Sequence, residues 1–562
     1  MFDLSTTPFS RYGSYVAFSH LSEDVSHPAG LYLRSVRGPG LTAWQTVFQL
    51  ELLKDGQPVH FSESVSPSLL RLDCEFGFAE ICLPRPDVIR MRCQGVALRL
   101  SRAASGYDYL IRKPGGLWQI TICAEFEARY MLASLAGELA VVSGWDGVRS
   151  QGMAIELAHQ SSAQIAEIEL REFRTSWAPT TCPETFEECV RLVESEFESW
   201  KDSLPPVPGY FSQARDLAAY LTWSCVVMPA GLLTRPAMFM SKNNMASIWS
   251  WDNCFNALAL AQANPCLAWD QLMVMVDQQA EDGSMPDLMN DMIISRSFVK
   301  PPVYGWAIQR MWQMGSLTIE RMREIYKPLC RNTDWWLKDD DGIPAYDHGN
   351  DSGWDNSTIF ATLPPVESPD LCAYLVLQME TLAQIAQALN LDGDAAGWQK
   401  RADRLLSTML RRFWREDHFV AIQSVGQVEI ESESLILYMP LLLGRRLPGN
   451  VIRALVRGLR ADNRFLTPYG LATESIASPA YQSDGYWRGP IWGAPLIFLI
   501  EGLSAVGELE FARDLALRFC NLCATSGMAE NYNALSGAPL RDRAFTWTSS
   551  HFFLAAAELL KE

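Results

Sequence analysis

The sequence predicts a mixed β and α chain, with an antiparallel β-sandwich at the N-terminus followed by an (α/α)6 barrel. Three observations predict it. The length of 562 residues exceeds what one hydrophobic core normally organises. Residues 1 to about 180 alternate apolar and polar side chains with a period of two, as half-buried strands do. From Ser212 onward the apolar period becomes that of a helix and stays so to the end.

The β-rich part is read from Leu31-Tyr32-Leu33-Arg34, from residues 45–52 and 96–101, and from residues 118–122 and 164–170. Gly, Pro, Asp and Ser separate these runs at short intervals, the spacing of antiparallel strands joined by turns. Near Thr185 the period changes. Phe186 to Leu204 reads as a helical linker, which Leu204-Pro205-Pro206-Val207-Pro208-Gly209 then breaks. The expected organisation is therefore a β-sandwich domain over 1–180, a linker over 181–211 and a barrel over 212–562.

Twelve helical segments are expected in the last part: 213–229, 253–263, 267–280, 303–315, 318–337, 369–389, 394–413, 431–442, 449–458, 488–506, 508–526 and 546–560. Twelve helices joined by loops of unequal length suggest six helical hairpins closed into a double ring. The long loops 281–302, 338–366, 414–430 and 462–487 would crowd one end of it. Loops beyond about 12–15 residues in a compact domain are usually functional.

Composition narrows the function. Hydrophobic residues make up 48% and charged residues 20%, ordinary for a globular enzyme. A net charge of -18 and a pI near 5.0 oppose nucleic-acid binding, which needs clustered Lys and Arg. No basic amphipathic tract points to a membrane surface, and no apolar run approaches the roughly 20 residues of a spanning helix. The start of the chain has neither a cationic region nor an apolar one, so no secretory signal is read. Of the thirteen Cys, only Cys520 and Cys523 form a C-x-x-C, and that pair sits inside an expected helix with no second pair for zinc. The cysteines read as reduced thiols, which places the chain in the cytoplasm. With seven His, no H-E-x-x-H and no Walker or Rossmann fingerprint, no metal and no organic cofactor is expected. Oligomeric state is open, and a homo-oligomer is compatible with the sequence.

The loops carry the chemistry. They share Trp, Asp, Asn, Gly, Pro and Tyr, the mixture of planar apolar surfaces and fixed polar groups that sugars need. Trp249-Ser250-Trp251-Asp252-Asn253 opens a helix. Lys300-Pro301-Pro302-Val303-Tyr304-Gly305-Trp306 opens another. Asn350-Asp351-Ser352-Gly353-Trp354-Asp355-Asn356-Ser357 and Glu530-Asn531-Tyr532-Asn533-Ala534-Leu535-Ser536-Gly537 each set a carboxylate among aromatic and amide groups, and Tyr486-Trp487-Arg488-Gly489-Pro490-Ile491-Trp492 lies between them. Nineteen Trp, most of them after residue 175, supply either a helical core or stacking walls. Two carboxylates in a sugar-sized pocket are the minimum equipment of glycoside hydrolysis: one protonates the leaving oxygen, and the other activates water or attacks.

The candidate catalytic pair is thus Asp355 and Glu530. Candidate substrate-binding residues are Trp249, Trp251, Asp252, Lys300, Tyr304, Trp306, Gly353, Trp354, Tyr486, Trp487, Arg488 and Trp492. Competing structural roles stay open: Asp252 as a helix cap, Arg488 as a loop anchor, Asp355 and Glu530 as partners of Arg. Asp287 and Asp291 read as loop-stabilising.

This run of motifs resembles glycoside hydrolase family 63, with its bacterial mannosylglycerate and glucosylglycerate hydrolases, and the related trehalase-type (α/α)6 glycosidases. The likeness spans roughly residues 240–550 in the expected order. It implies an inverting α-glycosidase, an α-glucosidase foremost, with Asp355 matching the general acid and Glu530 the general base. By the same resemblance Trp249 and Asp252 hold the sugar, and Tyr486, Trp487 and Trp492 wall it. The family often has Gln-Pro-Pro and a following His where this chain has Lys300-Pro-Pro and Tyr304. Lys300 would then either pair with an acidic substrate group or point to solvent.

The expected substrate is a small α-glucoside or α-mannoside, either an oligosaccharide or a conjugate such as a glycerate. Two rivals share the fold. A disaccharide phosphorylase would use phosphate in place of water and need no base, which Glu530 argues against. An epimerase would call for His pairs, which are sparse here. From another class, an inactive carbohydrate-binding protein is opposed by the presence of both carboxylates, since a fold alone implies no activity.

Overall fold

The structure, a computed structural model, describes residues 2–24, 27–38, 45–103, 105–123, 126–159, 161, 163–177, 182–338 and 342–561. The expected boundary at 180/181 lies outside the described residues.

The N-terminal region is β-rich, as the period-two alternation predicts. One antiparallel sheet runs in the order Val16–Leu21, Gly30–Ser35, Thr46–Lys54, Ala97–Arg102, Met153–Ala158, Glu138–Val142, with Gln57–Val59 paired to Thr46–Lys54. A second, of eight strands, runs Tyr109–Arg112, Trp118–Ile122, Ala128–Ala136, Ala166–Glu172, Val88–Gln94, Gly77–Arg85, Leu70–Cys74, Ser62–Val65. Buried residues of both sheets, Leu33, Phe48, Leu50 and Leu100 with Ile81, Met91, Ile120 and Leu170, form one apolar core.

The remainder is helical. In chain order the helices are α1 (Phe186–Ser203), α2 (Ser212–Ser224), α3 (Asp252–Leu260), α4 (Pro265–Val276), α5 (Tyr304–Gln313), α6 (Ile319–Leu337), α7 (Pro369–Ala388), α8 (Asp392–Phe413), α9 (Gly449–Arg460), α10 (Gly493–Val506), α11 (Leu509–Ser526) and α12 (Thr546–Leu559). Helix α1 starts at a capping box, Thr185 accepting from the Glu188 N–H and Glu188 answering to the Thr185 N–H. Eleven of the twelve segments expected after residue 212 are α-helices. The exception is 431–442, where a 3-10 helix spans Leu435–Arg446 instead. Pro440 within it lacks the N–H that an α-helical turn needs, and Gly444 turns the chain at φ 57. Helix α10 starts later than expected because Gly489-Pro490 interrupts the apolar run.

Burial sorts the helices into two sets. Every residue of α3 is buried, as are most of α7, α10, α12 and the 3-10 segment, the signature of helices enclosed on nearly all sides. Helices α6, α8 and α9 bury one stripe only. The enclosed elements and α5 pack in a circuit: α12 on α3, α3 on α5, α5 on α7, α7 on the 3-10 segment, that segment on α10, and α10 on α12.

The β-rich region also braces the loops at one end of this circuit. Arg37 pairs with Asp291 at 3.2 Å and with Glu172 at 2.8 Å, and Asp291 accepts the Gly38 N–H at 2.9 Å. Asn243 reaches from the Thr6 carbonyl to Asp542 Oδ1, at 2.8 and 3.0 Å. No described helix is long and apolar enough to cross a membrane.

Candidate active site

A cavity of about 420 Å³ opens among these loops. Its lining is Met240, Met245, Trp249, Trp251, Asp252, Asp287, Leu288, Ser295, Ser297, Phe298, Lys300, Asn350, Gly353, Asp355, Tyr486, Trp487, Trp492, Glu530, Phe545 and Trp547. Among the described residues, none from the β-rich region lines it.

Each carboxylate is held by local chain geometry. Trp249 ends a two-residue strand paired with Leu288, and Asp252 follows as the first residue of α3. Trp251 occupies the cap position, so Asp252 is free of the capping role. Gly353 stands at φ 73, and a Cβ there would meet the Trp251 ring at 2.5 Å. Only glycine turns the chain this close to the indole and delivers Asp355 to the cavity. Asp351 steadies the same loop by accepting the His348 and Val299 N–H groups at 2.9 and 3.1 Å. Glu530 precedes the hairpin strand Asn531–Tyr532, and its N–H donates to the Asp542 carbonyl at 2.8 Å.

The aromatic wall is a stack. Trp487 and Trp492 lie parallel at 4.1 Å and 7°. Trp354 tilts behind Trp487 at 4.9 Å, and Trp251 meets Trp547 at 4.9 Å. Tyr486 takes φ 62, a left-handed conformation that costs an aromatic residue of order 1–3 kcal/mol. Neighbouring bonds offset that cost: the Trp492 indole donates to the Tyr486 carbonyl at 2.9 Å, and the Trp487 N–H donates to Asn356 Oδ1 at 2.9 Å. Asn356 thereby ties the loop of Asp355 to the loop of the stack.

Burial dominates the electrostatics. It pushes Glu530 up to about 8, with the Asp542 charge adding and Arg541 opposing. Asp252 rises to about 7, again by burial, with Lys300 opposing. Asp355 and Asp287 rise for the same first reason, both restrained by Lys300. Lys300 Nζ lies 3.0 Å from Asp287 Oδ1, an ion pair at an angle outside hydrogen-bond geometry. The same ammonium donates to the Asn350 carbonyl at 2.9 Å and to Asn350 Oδ1. Among the described residues no cluster of three or more His, Cys, Asp or Glu is arranged to hold a metal ion.

Ten of the fourteen expected site residues meet at this cavity: Trp249, Trp251, Asp252, Lys300, Gly353, Asp355, Tyr486, Trp487, Trp492 and Glu530. Four do not line it. Trp354 is buried behind the stack. Tyr304 and Trp306 belong to α5, whose first turns are enclosed; the Tyr304 hydroxyl donates to the Leu272 carbonyl, and the Trp306 indole donates to Glu501 at 3.0 Å beside a separate cavity. Arg488 points to Gln482 at 3.4 Å. Lys300 neither points to solvent nor stands free, because Asp287 and Asn350 occupy it. Asp291 braces Arg37 and Gly38, as a loop-stabilising residue does, whereas Asp287 reaches the cavity. Sequence reading missed Phe545 and Trp547, whose apolar helical spacing at the start of α12 registers only as core. It also missed Asp542, for which a lone Asp in a polar run gives no signal.

A family model described as the mannosylglycerate hydrolase MGH1-like glycoside hydrolase domain matches residues 245–548, more than half of the chain. Mannosylglycerate hydrolase MGH1 of Selaginella moellendorffii is 22% identical over 392 residues, covering 54% of this chain and 78% of that protein. Among solved structures, a GH63 mannosylglycerate hydrolase from Thermus thermophilus in complex with glucose matches with a TM-score of 0.52 and 18% identity, covering 62% of this chain and 99% of its own. A bacterial glucoamylase complexed with acarbose matches with a TM-score of 0.64 and 12% identity, over 99% of this chain and 94% of its own. At such identities the structural likenesses bear on the fold alone.

Proposed function

The chain belongs to the mannosylglycerate hydrolase MGH1-like glycoside hydrolases of family GH63, and on that premise we propose that it is an inverting α-glycosidase acting on a small α-glucoside or α-mannoside. One observation carries the reading: Asp355 and Glu530, 175 positions apart in sequence, face one aromatic cavity. Asp355 protonates the glycosidic oxygen as the bond to the anomeric carbon breaks. Glu530 takes a proton from a water that attacks the opposite face, so the product anomer is inverted. Such a pair stands about 6.5–9.5 Å apart, leaving room for the water. Asp252 and the Trp487–Trp492 stack hold the ring. The circuit of enclosed elements supports an (α/α)6 barrel over 212–562, and the two sheets on one core support a β-sandwich over 1–180, joined by 181–211. Thirteen unbridged cysteines, several of them buried, suit a reducing cytoplasm.

One observation favours a second reading with the roles exchanged. Burial raises Glu530 to about 8, so Glu530 holds its proton firmly. Glycosyl fluorides, whose leaving group needs no acid, distinguish the two. If Asp355 is the acid, Asp355→Asn keeps activity on the fluoride while losing it on a disaccharide, and Glu530→Gln loses both. The opposite pattern would exchange the roles. Wild-type protein inert toward every α-glucoside and α-mannoside, fluorides included, would sink the proposal.

A further inference from the structure

The glycosidase reading leaves the leaving group open, and the charges around the cavity narrow it. Four carboxylates line the cavity, Asp252, Asp287, Asp355 and Glu530, against one ammonium, Lys300. An ammonium has three N–H donors. Lys300 gives two of them to Asn350, at its carbonyl and at Oδ1, and its charge is already paired with Asp287 at 3.0 Å, so a ligand carboxylate would have to compete with Asp287 for it.

The other cations near the cavity are engaged as well. Arg541 pairs with Asp484 at 2.7 Å, donates to Asn531 at 3.0 Å and lays its face over the Tyr486 ring at 4.9 Å. His348 stacks on Phe298 at 4.6 Å, and its Nδ1 accepts the Asn350 N–H at 3.0 Å. Among the half-buried and exposed lining residues Met245, Leu288 and Phe298 give apolar surface, Ser295 and Ser297 give hydroxyls, and the one ionisable group is the Asp355 carboxyl, so no cation stands there.

We propose that this cavity takes an uncharged, hydroxylated aglycone, a second sugar ring, and disfavours a carboxylate-bearing one such as glycerate. A carboxylate drawn into the mouth would shed its water without gaining an unpaired cation, among carboxyl groups that would repel it wherever they are ionised. A neutral ring meets apolar patches and hydroxyls that match its own faces and edges.

The inference rests on the glycosidase reading but is tested by binding, which does not require turnover. Calorimetric titration of the Asp355→Asn protein would compare an α-linked glucobiose and mannobiose with glucosylglycerate, mannosylglycerate and the methyl ester of each conjugate. The expected result is that the better disaccharide binds at least about tenfold more tightly than either free glycerate conjugate. Esterification, which removes only the charge, should recover most of the difference. Binding of a glycerate conjugate as tight as that of the disaccharides, or binding of none of these ligands, would overturn the inference. Failure of wild-type protein to hydrolyse any of them would instead count against the glycosidase reading, and the binding order would still be legible.

Discussion

Gly353 passes so close beneath Trp251 that a Cβ at position 353 would stand 2.5 Å from the indole, while its backbone is held at φ 73. One residue thus fixes both the floor under an aromatic wall and the direction in which Asp355 leaves the loop.

Gly353→Ala should destabilise the fold by about 1–3 kcal/mol, the range for overpacking, and depress turnover more than its stability loss explains. Chemical denaturation beside kcat/KM on the best α-glycoside checks this. A variant with wild-type stability and activity would mean that the indole gives way freely.

Lys300 and Asp287 form a buried pair, 6% and 5% exposed at their side chains. Removing only the ammonium, in Lys300→Met, leaves Asp287 uncompensated and should cost about 3–5 kcal/mol. Lys300→Met combined with Asp287→Asn should recover a large part of that loss. Urea titrations of both variants measure the difference.

Glu530 links activity to stability through pH. Its folded value of about 8 lies above the ordinary 4.5, so the folded chain binds this proton more tightly than the unfolded chain does. That contribution is fully present below pH 4.5 and is lost as pH rises to about 8. Glu530→Gln cannot ionise, so its stability should gain on that of wild type across this window by up to about 1.4 kcal/mol per pH unit. Thermal melts across the window test it, and a gap that stays constant would contradict the assignment.

Asp542 is the first charge acting on Glu530 once burial is set aside. With Glu530 as base, the ascending limb of kcat/KM reports its deprotonation in the free enzyme. Asp542→Asn keeps an acceptor for the Ala544 N–H and the Asn243 amide but removes the charge, so the limb should move to lower pH. An unmoved limb would show that another group governs it.

Much of this arrangement was legible in the sequence, for physical reasons that differ from element to element. Strand alternation and helix period read correctly because each reports one buried face, as in Thr46–Lys54 and α9. The 3-10 stretch Leu435–Arg446 escaped because its apolar content matches a helix and only Pro440 signals otherwise. Composition led to the cavity: Trp beside Asp, Asn and Gly picked out ten of the residues that line it. Composition could not say on which side of a helix start a residue falls, and so Tyr304 and Trp306, a turn beyond Lys300, were read as lining although α5 buries them. Asp542 was invisible for the opposite reason, since its importance comes entirely from a neighbour twelve residues earlier in sequence.

The most direct test of the central claim is to follow the first minutes of hydrolysis of a cleaved α-glucoside or α-mannoside by proton NMR with wild-type protein. The account predicts that the β-anomer of the free sugar appears first and the α-anomer only later, by mutarotation. First release of the α-anomer would contradict it, because two carboxylates acting through a positioned water cannot retain configuration.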